Sequence, residues 1–423
     1  MILLFSALAV LLLIGAPVFV AIAGASIVYI VANGIPPLIA IQKMVSGVDS
    51  FPLLCVPFFV LAGSLMNAGS ITDRLFEFAH RMVGHWRGGL GQVNVLNSMI
   101  FSGMSGTAIA DAGGLGAMEI RAMRNRGYDM PFAVGISAAS ATMGPVIPPS
   151  LPLVVYGFAA GASVGQLFLA GIVPGLLMAA AMHAQVAWYA RRGNYPVEPK
   201  ATWGERLAAL RTSAPALLMP LIIMGGIVLG VATPTEAAAV AAAYALLIGV
   251  FVYRSFGFRS VLGSLVETVE TTSVVMLMVG ASSLFGWILV RENAAQEFTR
   301  MMLGAIEEPW QALLILNLIL LVAGMFLETI AIILIAVPIF MPVLTQFGID
   351  PVHFGIVMVL NLMIGLMTPP VGLLLFVMAR ISGLDFYATF RACLPFLVPI
   401  VAVLILITFV PAIPLALPNF FMR

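Results

Sequence analysis

Apolar segments follow one another along almost the whole chain, near 1–14, 17–33, 52–69, 130–160, 163–190, 213–232, 236–253, 273–290, 352–379 and 393–418. A run of about 20 such residues is what a helix needs to cross the hydrocarbon layer of a bilayer. No other feature constrains the fold as much, because lipid offers the backbone no hydrogen-bond partner and forces it to satisfy itself within the segment. Composition agrees: 62% of residues are hydrophobic, only 9% are charged, and the mean hydropathy is +1.12. A soluble domain carries about 25% charged residues, so this chain could not cover a water-facing surface. It reads as an all-α integral membrane protein.

Several functions are excluded at once. The spanning segments leave no room for a soluble catalytic or receptor domain. A formal net charge of +1 argues against a nucleic-acid partner. Cys55 and Cys393 both sit in apolar runs and form neither a disulfide framework nor a metal set. His80, His85, His183 and His353 lack the HExxH spacing of a zinc site, and no GxxxxGK[ST] phosphate loop is present. The first apolar run has no basic flank, so it reads as a membrane segment and not a removed signal.

Two further apolar stretches, 89–120 and 308–343, are interrupted at their middles by small or polar residues. Each reads as a re-entrant hairpin whose irregular backbone is buried in protein. The stretch 71–88 has the amphipathic pattern of an interfacial helix, with Ile71, Leu75, Phe76, Phe78, Ala79 and Met82 against Asp73, Arg74, Glu77 and Arg81.

The chain also repeats itself. Asn97 recurs as Asn317, Gly103-Met104 as Gly324-Met325, Pro131 and Gly135 as Pro351 and Gly355, Gly144…Pro148-Pro149 as Gly365…Pro369-Pro370, and Pro174 as Pro395, always 220 or 221 residues apart. A constant offset of this kind predicts two structural repeats, 1–212 and 213–423, a common transporter design. The positive-inside rule orients them. With 191–212 cytoplasmic, alternation places 15 of 19 Lys and Arg inside, leaving Lys43, Arg291, Arg300 and Arg423 outside. The hairpins then enter from opposite faces, so the repeats are expected to be inverted, with about ten crossings. Symmetry with the pair 213–232 and 236–253 makes 1–14 and 17–33 two short crossings.

Candidate chemistry gathers at four places. The first hairpin tip runs Gly103-Met104-Ser105-Gly106-Thr107-Ala108-Ile109-Ala110-Asp111. A carboxylate at membrane depth is costly and usually faces a cavity, a partner or an ion. Thr107 and Asp111 are therefore expected at the transport site. At the second tip Glu328 and Thr329 interrupt the apolar stretch in the same way, and Glu328 also suits a helix N-terminus. Between the hairpins' flanks, Gly144-Pro145-Val146-Ile147-Pro148-Pro149-Ser150 and Gly365-Leu366-Met367-Thr368-Pro369-Pro370-Val371-Gly372 break two long apolar segments. Proline removes a donor and clashes with the preceding turn, which unwinds the helix. The carbonyls of Gly144, Ile147, Gly365 and Met367, with the hydroxyls of Thr368 and Ser150, are then available to a small hard cation. The prolines Pro148, Pro149, Pro369 and Pro370 are expected beside the substrate. By contrast Thr233-Pro234-Thr235-Glu236 reads as a capping box, and His183 and Trp188 as packing and interface anchors.

At these residues the chain resembles the large membrane subunit of tripartite ATP-independent periplasmic (TRAP) transporters. The matching blocks are Gly103–Asp111, the Thr-Pro-Thr-Glu-Ala-Ala-Ala of Thr233–Ala239, and the Thr-Pro-Pro-Val-Gly of Thr368–Gly372. Thr107 stands where that family often has Ser, and Glu328 where it often has Asp. The resemblance implies an elevator, in which two hairpins and two broken helices move against a scaffold in the bacterial inner membrane. It implies a separate small four-helix membrane subunit, a periplasmic binding protein that delivers an organic acid, and uptake driven by sodium as coupling ion, with no other cofactor. By position, cation ligands would come from Ser105 and Gly106 at the tip and from the two breaks. Rival readings are a stand-alone sodium-coupled anion carrier of related design, an intramembrane hydrolase pairing Asp111 with Glu328, and a channel.

Overall fold

The computed structural model describes all residues except Gly69, Ser70, Asn194, Pro196, Glu198 and Arg423, and all side chains of the rest except those of Arg192 and Ala305. Arg423 and the Arg192 side chain, both used to orient the chain from sequence, thus lie outside the described residues. The regular structure that is described is entirely helical.

Seven helices among the described residues are long and apolar enough to cross a membrane: Phe51–Ala68, Val164–Arg191, Trp203–Val228, Pro234–Val252, Phe258–Arg291, Thr329–Gln346 and Phe386–Phe409. That is fewer than the ten crossings expected. The N-terminal pair accounts for part of the difference. Ile2–Leu13 and Val18–Ala32 have 12 and 15 residues, so at 1.5 Å per residue they are roughly 18 and 22 Å long against a core of about 30 Å. Gly15, at φ +82°, and Pro17 separate them. They pack on each other, and Leu4, Ile22 and Ile30 close a small core with Leu284, Phe285 and Ile288 of the Phe258–Arg291 helix. This last helix has 34 residues and begins well before the expected 273–290.

The stretches 130–160 and 352–379 are each split in two. Met130–Ala141 and Leu151–Ala160 flank one break, and Pro351–Gly365 and Leu373–Ser382 the other. Val352 to Gly365 are buried without interruption, as are Phe132 to Ala141. A helix apolar on all faces belongs at the centre of a bundle, and these two are the axis of the main core. Large apolar side chains such as Leu221, Val231, Phe251, Val269, Leu318 and Val398 are exposed around it, as lipid contact requires.

The amphipathic stretch forms the helix Ile71–Val83, which buries Ile71, Leu75, Ala79 and Val83 at strict i,i+4 spacing. Arg81 on its outer side meets Glu77 at 2.6 Å and Glu205 at 3.3 Å. Thr233 and Glu236 form the expected capping box, and Thr202 with Glu205 forms a second one.

Hairpin tips and helix breaks as a candidate transport site

The first hairpin descends as Leu90–Ser105 and turns at Gly106, whose φ of +66° is left-handed. A side chain there would also come within 2.8 Å of the Pro149 carbonyl oxygen, so glycine is needed for the tip to touch the break. Thr107 then stands at the N-cap of the returning helix, which passes through a π turn at Ala112–Gly116 and continues to Asn125.

The first break keeps its backbone partly paired. Gly144 N–H donates to Ala141, and the N–H groups of Val146 and Ile147 both donate to Met143. None of the turn hydrogen bonds ends on the carbonyls of Gly144, Ile147, Pro148 or Pro149, which leaves those oxygens for a ligand. Ser150 is committed elsewhere: its hydroxyl donates to the Pro145 carbonyl and accepts the Leu153 N–H at 3.2 Å, capping the next helix.

The second pair is joined differently. The N–H groups of Val371 and Gly372 both donate to the Met325 carbonyl at 3.2 Å, tying the tip to the break. Gly324 and Gly365 lie backbone against backbone, and a Cβ on Gly365 would fall 2.7 Å from Gly324. The Gly365 carbonyl already accepts the Thr368 N–H, whereas that of Met367 receives no turn bond. Thr368 Oγ1 donates to Ile364 at 2.7 Å and keeps its lone pairs. Glu328 caps the returning helix Thr329–Gln346, accepting from Ile330 N at 2.9 Å and Ala331 N at 3.3 Å.

The two tips meet. A cavity with about 50 Å³ of water-accessible space is lined by Thr107, Ala108 and Ile109 of one tip and Glu328, Thr329 and Ile330 of the other. Pro145, Leu151 and Pro152 of the first broken helix and Met363 and Leu366 of the second complete it. Three of the expected substrate residues, Thr107, Glu328 and Thr329, are thereby brought together, and Thr329 Oγ1 is buried without a hydrogen bond. Asp111, Pro148, Pro149, Pro369 and Pro370 do not line this cavity. Nor are the two acids equivalents: Glu328 and Thr107 occupy the N-cap positions, while Asp111 lies a turn further along.

Sequence reasoning missed a polar web in the first half. Asn94 Nδ2 donates to Glu119 Oε2 and to Ser137 Oγ (2.8 Å), and Asn97 Nδ2 donates to Glu119 Oε1 at 2.9 Å. Ser140 donates to Asn94 Oδ1 at 2.8 Å and accepts from Ser98 at 2.9 Å. These bonds fasten both arms of the hairpin to the broken helix. The signal was available: Asn94, Asn97 and Ser98 form an i, i+3, i+4 stripe within an otherwise apolar stretch. The second half has a smaller web among the described residues, Asn361 Nδ2 donating to Asn317 Oδ1 at 2.7 Å and to its carbonyl at 2.9 Å, and Asn317 Nδ2 donating to Thr408 Oγ1 at 3.5 Å.

Residues 5–413 match the model of the family described as tripartite ATP-independent periplasmic transporter, DctM component. The chain belongs to this family. As a DctM component it is a multi-pass subunit of a bacterial inner-membrane transporter, not an enzyme. It is 47% identical over 383 residues to the sialic acid TRAP transporter large permease protein SiaM of Vibrio cholerae, covering 90% of each chain. To the C4-dicarboxylate TRAP transporter large permease protein DctM of Pseudomonas aeruginosa it is 42% identical, covering 89% of this chain and 88% of that one. Among solved structures, the YdaH transporter of Alcanivorax borkumensis matches with a TM-score of 0.61 at 14% identity, covering 88% of this chain and 87% of the other, a likeness of fold.

Proposed function

We propose that this DctM component imports an organic carboxylate with sodium, the substrate being held where the two hairpin tips meet. The cavity shared by Thr107, Glu328 and Thr329 carries this reading, because there both hairpin tips contribute polar groups to one point. Two hydroxyls and the N-terminal ends of the returning helices suit a carboxylate, since helix N-termini favour anions. Sodium sits at the tip–break contacts, on oxygens of Ser105, Gly106, Gly144 and Ile147 in the first half and of Gly365, Met367 and Thr368 in the second. The prolines Pro148, Pro149, Pro369 and Pro370 hold those carbonyls open. Sialic acid and C4-dicarboxylates are the substrates named for the relatives SiaM and DctM.

The working geometry is an elevator of two inverted repeats, 1–212 and 213–423, with hairpins that re-enter the membrane. The helix order supports the repeat. Ile71–Val83, Leu90–Ser105, Met130–Ala141, Leu151–Ala160 and the helix from Val164 have successors starting at Ala294, Pro309, Pro351, Leu373 and Phe386, each 219 to 223 residues later. Its partners are a separate small four-helix membrane subunit and a periplasmic binding protein. The isethionate permease DctMQ of Oleidesulfovibrio alaskensis, of which this chain covers 65%, leaves the length that a fused small subunit needs.

The decisive experiment is uptake by liposomes containing this chain, its small subunit and the binding protein. Uptake is expected to stop when inward sodium is replaced by potassium. Undiminished uptake in potassium removes the coupling ion, and undiminished uptake without the binding protein favours the stand-alone carrier.

A further inference from the structure

Away from the tips, a cavity of about 440 Å³ opens between the helix Leu38–Val48, the last turns of Phe258–Arg291 and the returning arm of the second hairpin. That volume falls within the range of pockets for small organic ligands, about 300–1,000 Å³. Lys43 and Ser46 come from the first of these helices, Ser282 and Trp287 from the second, and Leu334 and Pro338 from the hairpin arm. No residue lining it is an acid, and none is shared with the tip cavity.

Its polar groups fit an anion. Lys43 is half-buried, with Nζ 5.8 Å from the centre of the Trp287 ring, and among the described residues it forms no ion pair. The Arg291 guanidinium lies 5.5 Å from the same ring and adds a second positive charge nearby. Ser282 is 3% exposed, and its Oγ is buried without a hydrogen-bond partner. A hydroxyl in that position is costly unless a ligand closes it, and it can donate to one. Gly47 sets the spacing: a Cβ there would fall 2.0 Å from Ser283 Oγ, so glycine is what lets the Lys43 helix lie this close to the Ser282 turn.

The place of the cavity is as informative as its lining. Leu334 and Pro338 stand five and nine residues beyond Thr329 on one helix, roughly 8 and 14 Å along it at 1.5 Å per residue. The cavity is thus displaced from the tips toward the end of the hairpin that the positive-inside count assigns to the outside.

We propose that this cavity is a second anion site, in which Lys43 and Ser282 hold the carboxylate of the transported acid against Trp287 before it reaches the tips. The identity of the ligand rests on the carboxylate-import reading above; nothing in the site depends on sodium. Ser46→Cys places a thiol on the exposed part of the lining, while Cys55 and Cys393 are buried. In the detergent-purified complex of this chain and its small subunit, N-acetylneuraminate or succinate is expected to slow maleimide alkylation of that thiol. The methyl ester of the same acid is expected not to. Adding Lys43→Gln should raise the half-protecting concentration on the order of tenfold, Ser282→Ala should act in the same direction, and Lys43→Arg should restore protection.

Protection that survives Lys43→Gln and disappears with Thr329→Val comes from the tips and overturns the proposal. Protection by added phosphatidylglycerol, with none from either acid, assigns the cavity to a lipid phosphate and overturns it as well. Absence of protection while the intact system takes up one of these acids overturns the second site and leaves carboxylate import standing. Absence of both protection and uptake removes the import reading with it.

Discussion

The two hairpin–break pairs share a backbone and differ in chemistry. Gly103 and Gly324, Gly144 and Gly365, and the paired prolines at 148–149 and 369–370 recur, and in each half the helices end and restart at matching places. Most polar side chains do not recur, Asn97 and Asn317 being an exception. The first pair is fastened by Asn94, Asn97, Glu119, Ser137 and Ser140 and carries the buried Asp111. In the second, main-chain donors on Met325, a glycine–glycine contact and two Asn361–Asn317 bonds do the fastening. Backbone breaks are therefore a shared requirement of the design, while the polar fastening differs between the two pairs.

The largest effect should come from closing the tip–break contact. Gly365→Ala drives a methyl into the Gly324 backbone, which has no side chain to yield, and displacements of about 1 Å at a site can cost a hundredfold in rate. Gly144→Ala meets the Asp111 carboxylate, which can rotate, so initial uptake in proteoliposomes should fall less, on the order of tenfold. Equal losses would mean that the two contacts are equivalent after all.

Next in size is the polar web. Glu119→Leu strands the Asn97 amide and removes one of the two bonds of the Asn94 amide, which keeps Ser137, at about 1–3 kcal/mol for each unsatisfied buried donor. Asn361→Leu strands one group, Asn317 Oδ1. Thermal melts of the two variants should therefore rank Glu119→Leu clearly lower, and a reversed order would break the comparison.

Thr368→Val tests the proposed cation site at the second break. Its stability cost should be about 1 kcal/mol, for one hydrogen bond to Ile364. Losing even ~1.4 kcal/mol of cation binding would raise the half-saturating sodium concentration about tenfold. A sodium curve identical to wild type, with normal transport, leaves the second site to backbone carbonyls.

The smallest effect belongs to a residue outside both pairs. Thr233→Ala removes an exposed cap worth about 1 kcal/mol and should leave the sodium curve untouched. Any change in that curve would show that the second helix of the Thr233 turn takes part in coupling.

What the sequence made legible follows from what is local. Glycine and proline act on their own backbone, so the tips at 103–106 and 324–329 and both breaks could be read directly. The capping box at Thr233–Glu236 was legible for the same reason. Side-chain direction is not local, and the Asn94, Asn97 and Ser98 stripe marks a polar face without showing which helices it meets. The offset that pairs Gly103-Met104 with Gly324-Met325 also pairs Thr107 with Glu328, and cap geometry agrees, both standing at helix N-caps. The long helix from Phe258 was cut short because Arg259, Glu267 and Glu270 lower the hydropathy of its first half. Ser64 meets Glu267 by a hydrogen bond at 2.5 Å, a partner 203 residues away that no sequence window contains.

The cavity between the tips has a consequence for affinity. At about 50 Å³ it has room for one or two waters of roughly 30 Å³ each, whereas pockets for small organic ligands run to about 300–1,000 Å³. On the proposed site, an organic acid enters when Thr107 and Thr329 draw apart, so the measured dissociation constant is the intrinsic one divided by the fraction of molecules so opened. If one molecule in about a hundred is open, two decades of affinity are hidden by the closed majority, roughly 2.7 kcal/mol. Loosening the seam between the tips would then tighten apparent binding without altering any contact that the substrate makes.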